Sequence, residues 1–538
     1  RRGACMTREA DSGLQPCLRA TVARLLDSAM ATASDGRAGH GRGLAARDIV
    51  VLLIFGCRVV QTVLRMALGA LVVYVCEEHS CNSAGKAWLL SAHAFGYCTT
   101  QVLGGLLADR MGGKAVITVA LAMAGLALAA TPPVTACLGL WGLAALQVIM
   151  GAAMGPMFPA SMQLLTRWLP PSERPFASTM MDTGITAGSL VAVPLSGALS
   201  VCLGWRAALA IYGLVALAYS VLWAVCAAEE PERCCYCSDA EKVFLAAALP
   251  SARKPITQVC SFVNGFMHMR LWAIYVSHFT FNYSVYFITS WSATYYLELF
   301  GLRPEHAGFH LSLPHAANML VKTTSVPLLA RFLRSRGFTD LACRRAFTGL
   351  GFIAPALCLK LVPLSASAHA TTACFSAALG FMALHPSGFK ANYMDVTTHH
   401  SGLVSGIGNT IASVASSVGP LWVSQVRESA GHWAPVFHSV ASMNLLAALV
   451  FCTLSSTRPI EARDAHLQGR PAEEDQGLQL CPRAQFQGIL ARMRRRQRLD
   501  SRLVDPPKPM PVALVPRGDS CSWPPCGGGQ GGRFGSVP

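Results

Sequence analysis

Between residues 48 and 456 the chain is a succession of apolar runs, each about 20 residues long, joined by short polar connections. A helix crossing the hydrocarbon of a bilayer needs about 20 mostly apolar residues. Read on that length, the runs fall near 49–75, 87–108, 115–132, 137–162, 177–200, 205–227, 271–297, 306–330, 345–363, 370–391, 402–424 and 432–455. Only 13% of the 538 residues are charged and 52% are hydrophobic, against roughly 25% charged in a soluble domain. So few charges could not cover a water-soluble surface of this size. Lipid accepts outward-facing apolar side chains, provided that each backbone polar group is satisfied within its own helix. The expected fold is an all-α membrane protein with about twelve spanning helices.

The runs divide six and six around a charged stretch, 229–270, which opens Glu229-Glu230-Pro231-Glu232-Arg233 and carries Arg253 and Lys254. Two six-helix bundles, 48–228 and 271–456, are expected, with a midplane site between them. Basic residues gather in alternate loops. Arg110, Lys114, Arg167, Arg174, Arg334, Arg336, Arg344 and Arg345 mark one side, and the sparser Lys86, Arg206, Arg303, Lys360 and Arg427 the other. The positive-inside rule puts the first set, the linker and both termini in the cytoplasm or its organellar equivalent. The chain is thus expected to be a multi-pass protein of the plasma membrane or an organelle membrane.

Residues 1–47 hold eight arginines among Ser, Thr and Ala, with four acids. They read either as a transit peptide or as a basic cytoplasmic tail. The start at Arg1 suits a fragment or a gene-model product. The stretch 457–538 turns to Pro, Gly, Gln and Arg and is expected to be disordered. Its five arginines between Arg492 and Arg498 either rest on anionic lipid or stay solvated.

The net charge of +16 does not imply nucleic acid. The cations lie in loops and tails, where they suit topology and contact with membrane lipids. Of the 20 cysteines, many, such as Cys57, Cys98, Cys202 and Cys226, read as small residues within apolar helices. Cys76 and Cys81 flank one outer loop and could pair. Cys234, Cys235 and Cys237 lack an identifiable fourth metal ligand and read as a palmitoylated or solvated loop. No phosphate-binding glycine loop, zinc spacing or nucleophile elbow stands in a plausible context, so neither an enzyme nor a cofactor is expected.

The strongest local pattern runs from Gly104 and Gly105 through Asp109, Arg110, Gly112 and Gly113 to Lys114. Small residues let two helices approach closely, and Asp109 can pair with basic groups or a helix N-terminus. A second, Phe158-Pro159-Ala160, leads into Arg167-Trp168-Leu169-Pro170-Pro171-Ser172-Glu173-Arg174, with Pro159 expected to break or bend the fourth segment. A third runs from Gly388 through Asp395 to Gly402, Gly406, Gly408 and Asn409.

Together these resemble the anion:cation symporter branch of the major facilitator superfamily, which includes sodium-dependent phosphate, sialic acid, vesicular glutamate and plant plastid anion transporters. The likeness extends through Arg65 with Leu68-Gly69, Gly96-Tyr97, Gln101, Pro194 to Gly197, Gly204-Trp205, His278 to Tyr283, Tyr295-Tyr296, Leu313-Pro314-His315 and Gly419-Pro420. It implies a twelve-helix fold of two bundles, an inner gate built on Gly105, Asp109, Arg110, Gly112, Gly113 and Lys114, and movement of a small anion with sodium or protons. The chain also departs from the branch. Gln147 and Met154 stand where many members carry an arginine and a glutamate. Phe281 replaces an arginine of the glutamate transporters, Ala67 a common asparagine, Tyr393 a histidine, and Arg331 a second-half aspartate. Phosphate or glutamate therefore does not follow by analogy.

The charges inside the apolar segments carry the functional expectation. An arginine at mid-membrane costs about 2.5–3.5 kcal/mol on insertion scales and normally faces a cavity. Arg65 is expected to hold a carboxylate or phosphate through paired N–H donors; the alternative is a structural ion pair. Arg58, two turns earlier, is either a second contact or a gate residue. Lys322 either binds the anion or pairs with Asp182. Asp182 is either a coupling carboxylate or a hydrated group near the inner surface. His93 is either a proton site or a hydrogen-bonded structural histidine. Asn282, Tyr283 and Tyr286 either line the central space or pack, and Asp395 belongs with the gate. The function expected is secondary transport of a small anion by alternating access. A membrane sensor or scaffold that does not transport, or a carrier of a neutral or cationic solute, is the alternative.

Overall fold

The computed structural model describes residues 45–80, 83–249, 268–302 and 308–460. The terminal tails, Cys81 and Arg253-Lys254 lie outside the described residues, and so do the pairing, lipid-contact and disorder expectations placed on them. Among the described residues there is helix and no strand.

The first bundle is built from α1 (Ala46–His79), α2 (Ser83–Met111), α3 (Gly113–Ala129), α4 (Thr131–Met154) continued by α5 (Met157–Trp168), α6 (Arg174–Leu203) and α7 (Trp205–Cys226). A short helix, α8 (Asp239–Ala248), follows in the linker. The second bundle comprises α9 (Met269–Phe300), α10 (Gly308–Leu320) and α11 (Val326–Ser335), α12 (Asp340–Leu361), α13 (Ala368–Met382), α14 (Ser401–Ala430) and α15 (Ala434–Leu454). A π-helical turn, Val321–Ser325, joins α10 to α11, and another, Pro386–Lys390, extends the span begun by α13. Counted as spans, these are two sets of six. Six stretches, including Thr131–Trp168 and Trp205–Cys226, are long and apolar enough to cross a membrane on length and composition alone. Gly113–Ala129 is as apolar but only 17 residues long.

The two bundles repeat one packing scheme. The first span packs on the fifth, the second on the fourth and the third on the sixth. In the second bundle the seventh packs on the eleventh, the eighth on the tenth and the ninth on the twelfth. The repeat reaches side-chain detail at the outer ends. Glu78, closing α1, takes Trp205 Nε1 at 2.8 Å and Arg206 at 2.7 Å, and Arg206 lies over the Trp205 ring. Glu298, closing α9, takes Trp433 Nε1 at 2.9 Å and Arg427 at 2.8 Å, with Arg427 over Trp433. Each bundle thus ties its own outer rim.

Three local expectations need correction. The fourth span kinks at Gly139 (φ +54°) and is interrupted by a short turn at Gly155-Pro156, not at Pro159. Pro159 falls in the first turn of α5, where its missing N–H has no helical acceptor to lose. The linker is not all loop. Ser238 caps α8, and Glu241 from that helix accepts the α1 amides of Ala46 (2.9 Å) and Arg47 (3.2 Å). Cys234 and Cys237 are buried, with Cys235 alone of the three exposed, so the cluster is not a solvated loop.

Candidate functional site

The second and eleventh spans bring the backbones of the two bundles into contact. A Cβ at Gly105 would run into the Gly402 carbonyl, and one at Gly406 would meet the Gln101 carbonyl at 2.7 Å. Glycine is therefore required where these two backbones touch. Asp109 then reaches across and accepts the amides of Gly402 (2.9 Å) and Leu403 (2.8 Å), capping α14 at its positive end. The helix N-terminus, one of the two options open to Asp109, is thus occupied. Arg110 is exposed at the last turn of α2.

Gly112, at φ +95°, turns the chain from α2 into α3, and its missing side chain leaves room for the Glu229 carboxylate. Glu229 accepts the amides of Gly113 (3.2 Å) and Lys114 (2.8 Å) and pairs with Arg167 at 2.8 Å. Burial pushes the Glu229 carboxyl above its ordinary range, opposed by the Lys114 amide, Arg167 and the Gly113 amide. The gate motif is thus fastened from within its own bundle by a residue that the sequence reading assigned only to the linker.

At the inner ends Asp395 sits between Arg174 (2.9 Å) from the first bundle and Arg344 (2.8 Å) from the second. Arg174 also donates to the Met394 carbonyl at 2.6 Å. Loop charge alone counted both arginines as topology markers, yet Arg174 is 5% and Arg344 1% exposed. They are interior partners of one carboxylate.

Deeper in the membrane Asp182, on α6, meets two lysines. Lys322 Nζ lies 2.6 Å from one carboxylate oxygen and Lys390 Nζ 2.5 Å from the other. Lys322 also donates to Thr186 at 3.0 Å. Lys390 stands 4.3 Å over the Phe281 ring. Asp182 is thus not a hydrated carboxylate near the surface. Lys322 was one expected partner; Lys390 was missed because a lysine near the inner end of a span ordinarily reaches water. Counting intramembrane acids against intramembrane lysines would have found it.

Arg65 lies farther out on α1, remains solvent-accessible, and donates to Tyr286 Oη across the bundle interface at 3.0 Å. The other two residues grouped with Tyr286 turn elsewhere. Asn282 donates to the Ala412 carbonyl at 3.1 Å, while Tyr283 is buried against Phe279 and Gly419. Arg58 is buried and bonds Gln61, near the Phe158 ring. His93 is buried beside Tyr97, and its Nδ1 has no partner among the described residues; the same holds for Gln147 Nε2. Between the levels of Arg65 and Asp109 a neutral cluster also crosses the interface. Asn409 donates to Tyr97 Oη (2.9 Å) and Gln101 Oε1 (2.6 Å), and Gln101 donates to Ser413 at 3.1 Å.

Residues 54–420 match the sequence model of the Major Facilitator Superfamily. The chain is 27% identical over 396 residues to sialin of Homo sapiens, covering 70% of this chain and 79% of that protein. It is 27% identical over 406 residues to the chloroplastic ascorbate transporter of Arabidopsis thaliana, covering 75% and 74%. Its fold is similar to that of the Major Facilitator Superfamily transporter FucP in the outward conformation, with a TM-score of 0.60 at 15% identity over 76% of this chain and all of that one.

Proposed function

Because the chain belongs to the Major Facilitator Superfamily, we propose that it moves a small organic anion across its membrane by alternating access, coupled to sodium or protons. One observation carries the anion: a solvent-accessible Arg65 within the first span, facing Tyr286 of the opposite bundle. One N–H bond to a neutral phenol leaves most of the guanidinium donors available for a carboxylate. Such a carboxylate would touch both bundles at once, which is what a ligand must do to favour one arrangement of the bundles over another. The names of sialin and the ascorbate transporter support an organic acid as cargo. His93 and Asp182 are the titratable groups proposed to respond to the coupling ion.

The inner ends are closed by Asp109 on α14, by Asp395 between its two arginines, and by Asp182 between its two lysines. The cross-bundle bonds described above all lie between those inner ends and the level of Arg65. That distribution fits a carrier open to the outer side. The test is uptake of labelled organic acids into proteoliposomes, with sodium and pH gradients imposed separately. Saturable uptake that one gradient stimulates and Arg65→Ala reduces at least tenfold is expected. Normal uptake by Arg65→Ala would remove the arginine from the reading. Ligand binding without flux in sealed vesicles would turn the protein into a sensor.

A further inference from the structure

Both π turns found among the described residues end their business at the same atom group. Val321–Ser325 presents Lys322, Pro386–Lys390 presents Lys390, and both ammonium groups meet the carboxylate of Asp182. π turns insert an extra residue into a helix and are frequent at functional sites. Here one regular π turn and one kinked at Gly388, on different spans of the second bundle, aim at one aspartate of the first. All three side chains are 6–7% exposed. With both lysines protonated, the cluster holds two positive charges and one negative charge out of water. Among the described residues Thr186 supplies a hydroxyl, the Phe281 ring a π face and nearby Arg58 a further positive charge, but none supplies a second anion. A buried group of this kind is stable when its charges balance, and this one is short of a negative charge.

We propose that Lys322, Lys390 and Asp182 form a second, inner subsite for one monovalent organic anion, which supplies the missing charge as the substrate passes from Arg65 toward the inner face. The proposal rests on the anion-transport reading above and names the residues that receive the cargo next. The location suits it. On α6, Gly188 packs against Thr62, one turn short of Arg65 on the neighbouring α1. Asp182 lies farther along the same helix toward the inner ends, about 9 Å away at the rise of an α-helix. A carboxylate reaching the lysines also competes with Asp182 for them. Weakening that pair loosens one of the fastenings between the bundles, so that arrival of cargo and release of the inner ends become one event.

Charge count gives the test a readout that a purely structural ion pair would not move. The cluster carries +1 in the native protein, 0 in Lys322→Met or Lys390→Met, and +2 in Asp182→Asn. In the double variant Asp182→Asn with Lys322→Met it is +1 again, with the ion pairs gone. Purified protein, checked for a single size-exclusion peak, is titrated with sodium acetate and sodium gluconate, and the apparent affinity is taken from the shift in Tm. Each lysine variant should bind the anion roughly tenfold more weakly. Asp182→Asn should bind it more tightly, and the double variant should return to within about threefold of the native affinity. Lysine variants that fold and bind like the native protein would overturn the subsite, leaving a structural latch. So would a double variant that binds no better than Lys322→Met. Should the native protein itself respond to neither anion while Arg65→Ala is equally silent, the failure lies with the anion reading as a whole.

Discussion

Asp109 shows how much one side chain can decide. It belongs to the first bundle, yet both its oxygens are spent on the first amides of α14 in the second. A cap of this kind is worth about 0.5–2 kcal/mol, and here that energy exists only while the inner ends are closed. Asp109→Asn keeps one acceptor and loses the charge, so the closed arrangement should lose about 1 kcal/mol, near fivefold in population. A cysteine placed at Ser401, which is buried beside this contact, should react several times faster with a membrane-impermeant maleimide applied from the inner side. Unchanged labelling would mean that the cap does not hold the gate. This residue was readable in advance, since an acid after a glycine-rich helix end suits a helix N-terminus. Its partner was not, because nothing in local spacing says that α14 begins there. Arg174 and Arg344 were harder still. In a loop and at a span's start they look like topology charges, and only the fold shows them sharing Asp395.

At the scale of elements, the apolar runs were legible because a bilayer imposes one length on every crossing helix. Where the helices bend was not. Gly155-Pro156 and the two π turns answer to packing, and the nearby Pro159 attracted the expectation instead. The α3 start offers a cleaner test. Glu229 serves there as a cap supplied from beyond the sixth span, with amides and Arg167 around it. Glu229→Ala should lower the stability of the first bundle by about 1–2 kcal/mol, and Glu229→Gln by less, since an amide oxygen still accepts from Gly113 and Lys114. Burial holds the folded carboxyl above the ordinary glutamate value of 4.5. Its contribution is then complete in acid and falls as pH rises through the elevated value. The Tm gap between native protein and Glu229→Gln should therefore narrow as pH rises from 4.5 toward neutrality; a gap that widens would contradict the assignment.

For the whole molecule, the repeat of packing and of the Glu–Trp–Arg rim makes each bundle a body held together within itself. Motion then concentrates at the interface between them. Thr179 Oγ1 and Ser387 Oγ lie 2.8 Å apart on opposite sides of that interface, near the inner ends. With both replaced by cysteine, mild oxidation should join the bundles and stop transport almost completely; a reductant should restore the flux. Transport that survives a quantitative cross-link would rule out parting of the bundles at this point.

The π turn at Val321–Ser325 gives Lys322 an unusual freedom. A residue gained or lost by a helical turn swings everything before it by about 100° around the axis, with only about 1.5 Å of travel along it. If the extra residue at Val321–Ser325 were drawn back into the regular spiral, the Lys322 ammonium would be carried sideways off Asp182 while the rod as a whole stayed nearly still. The molecule could thus unhook half of its deepest fastening like a key turned in place, ahead of any swing of the larger bodies.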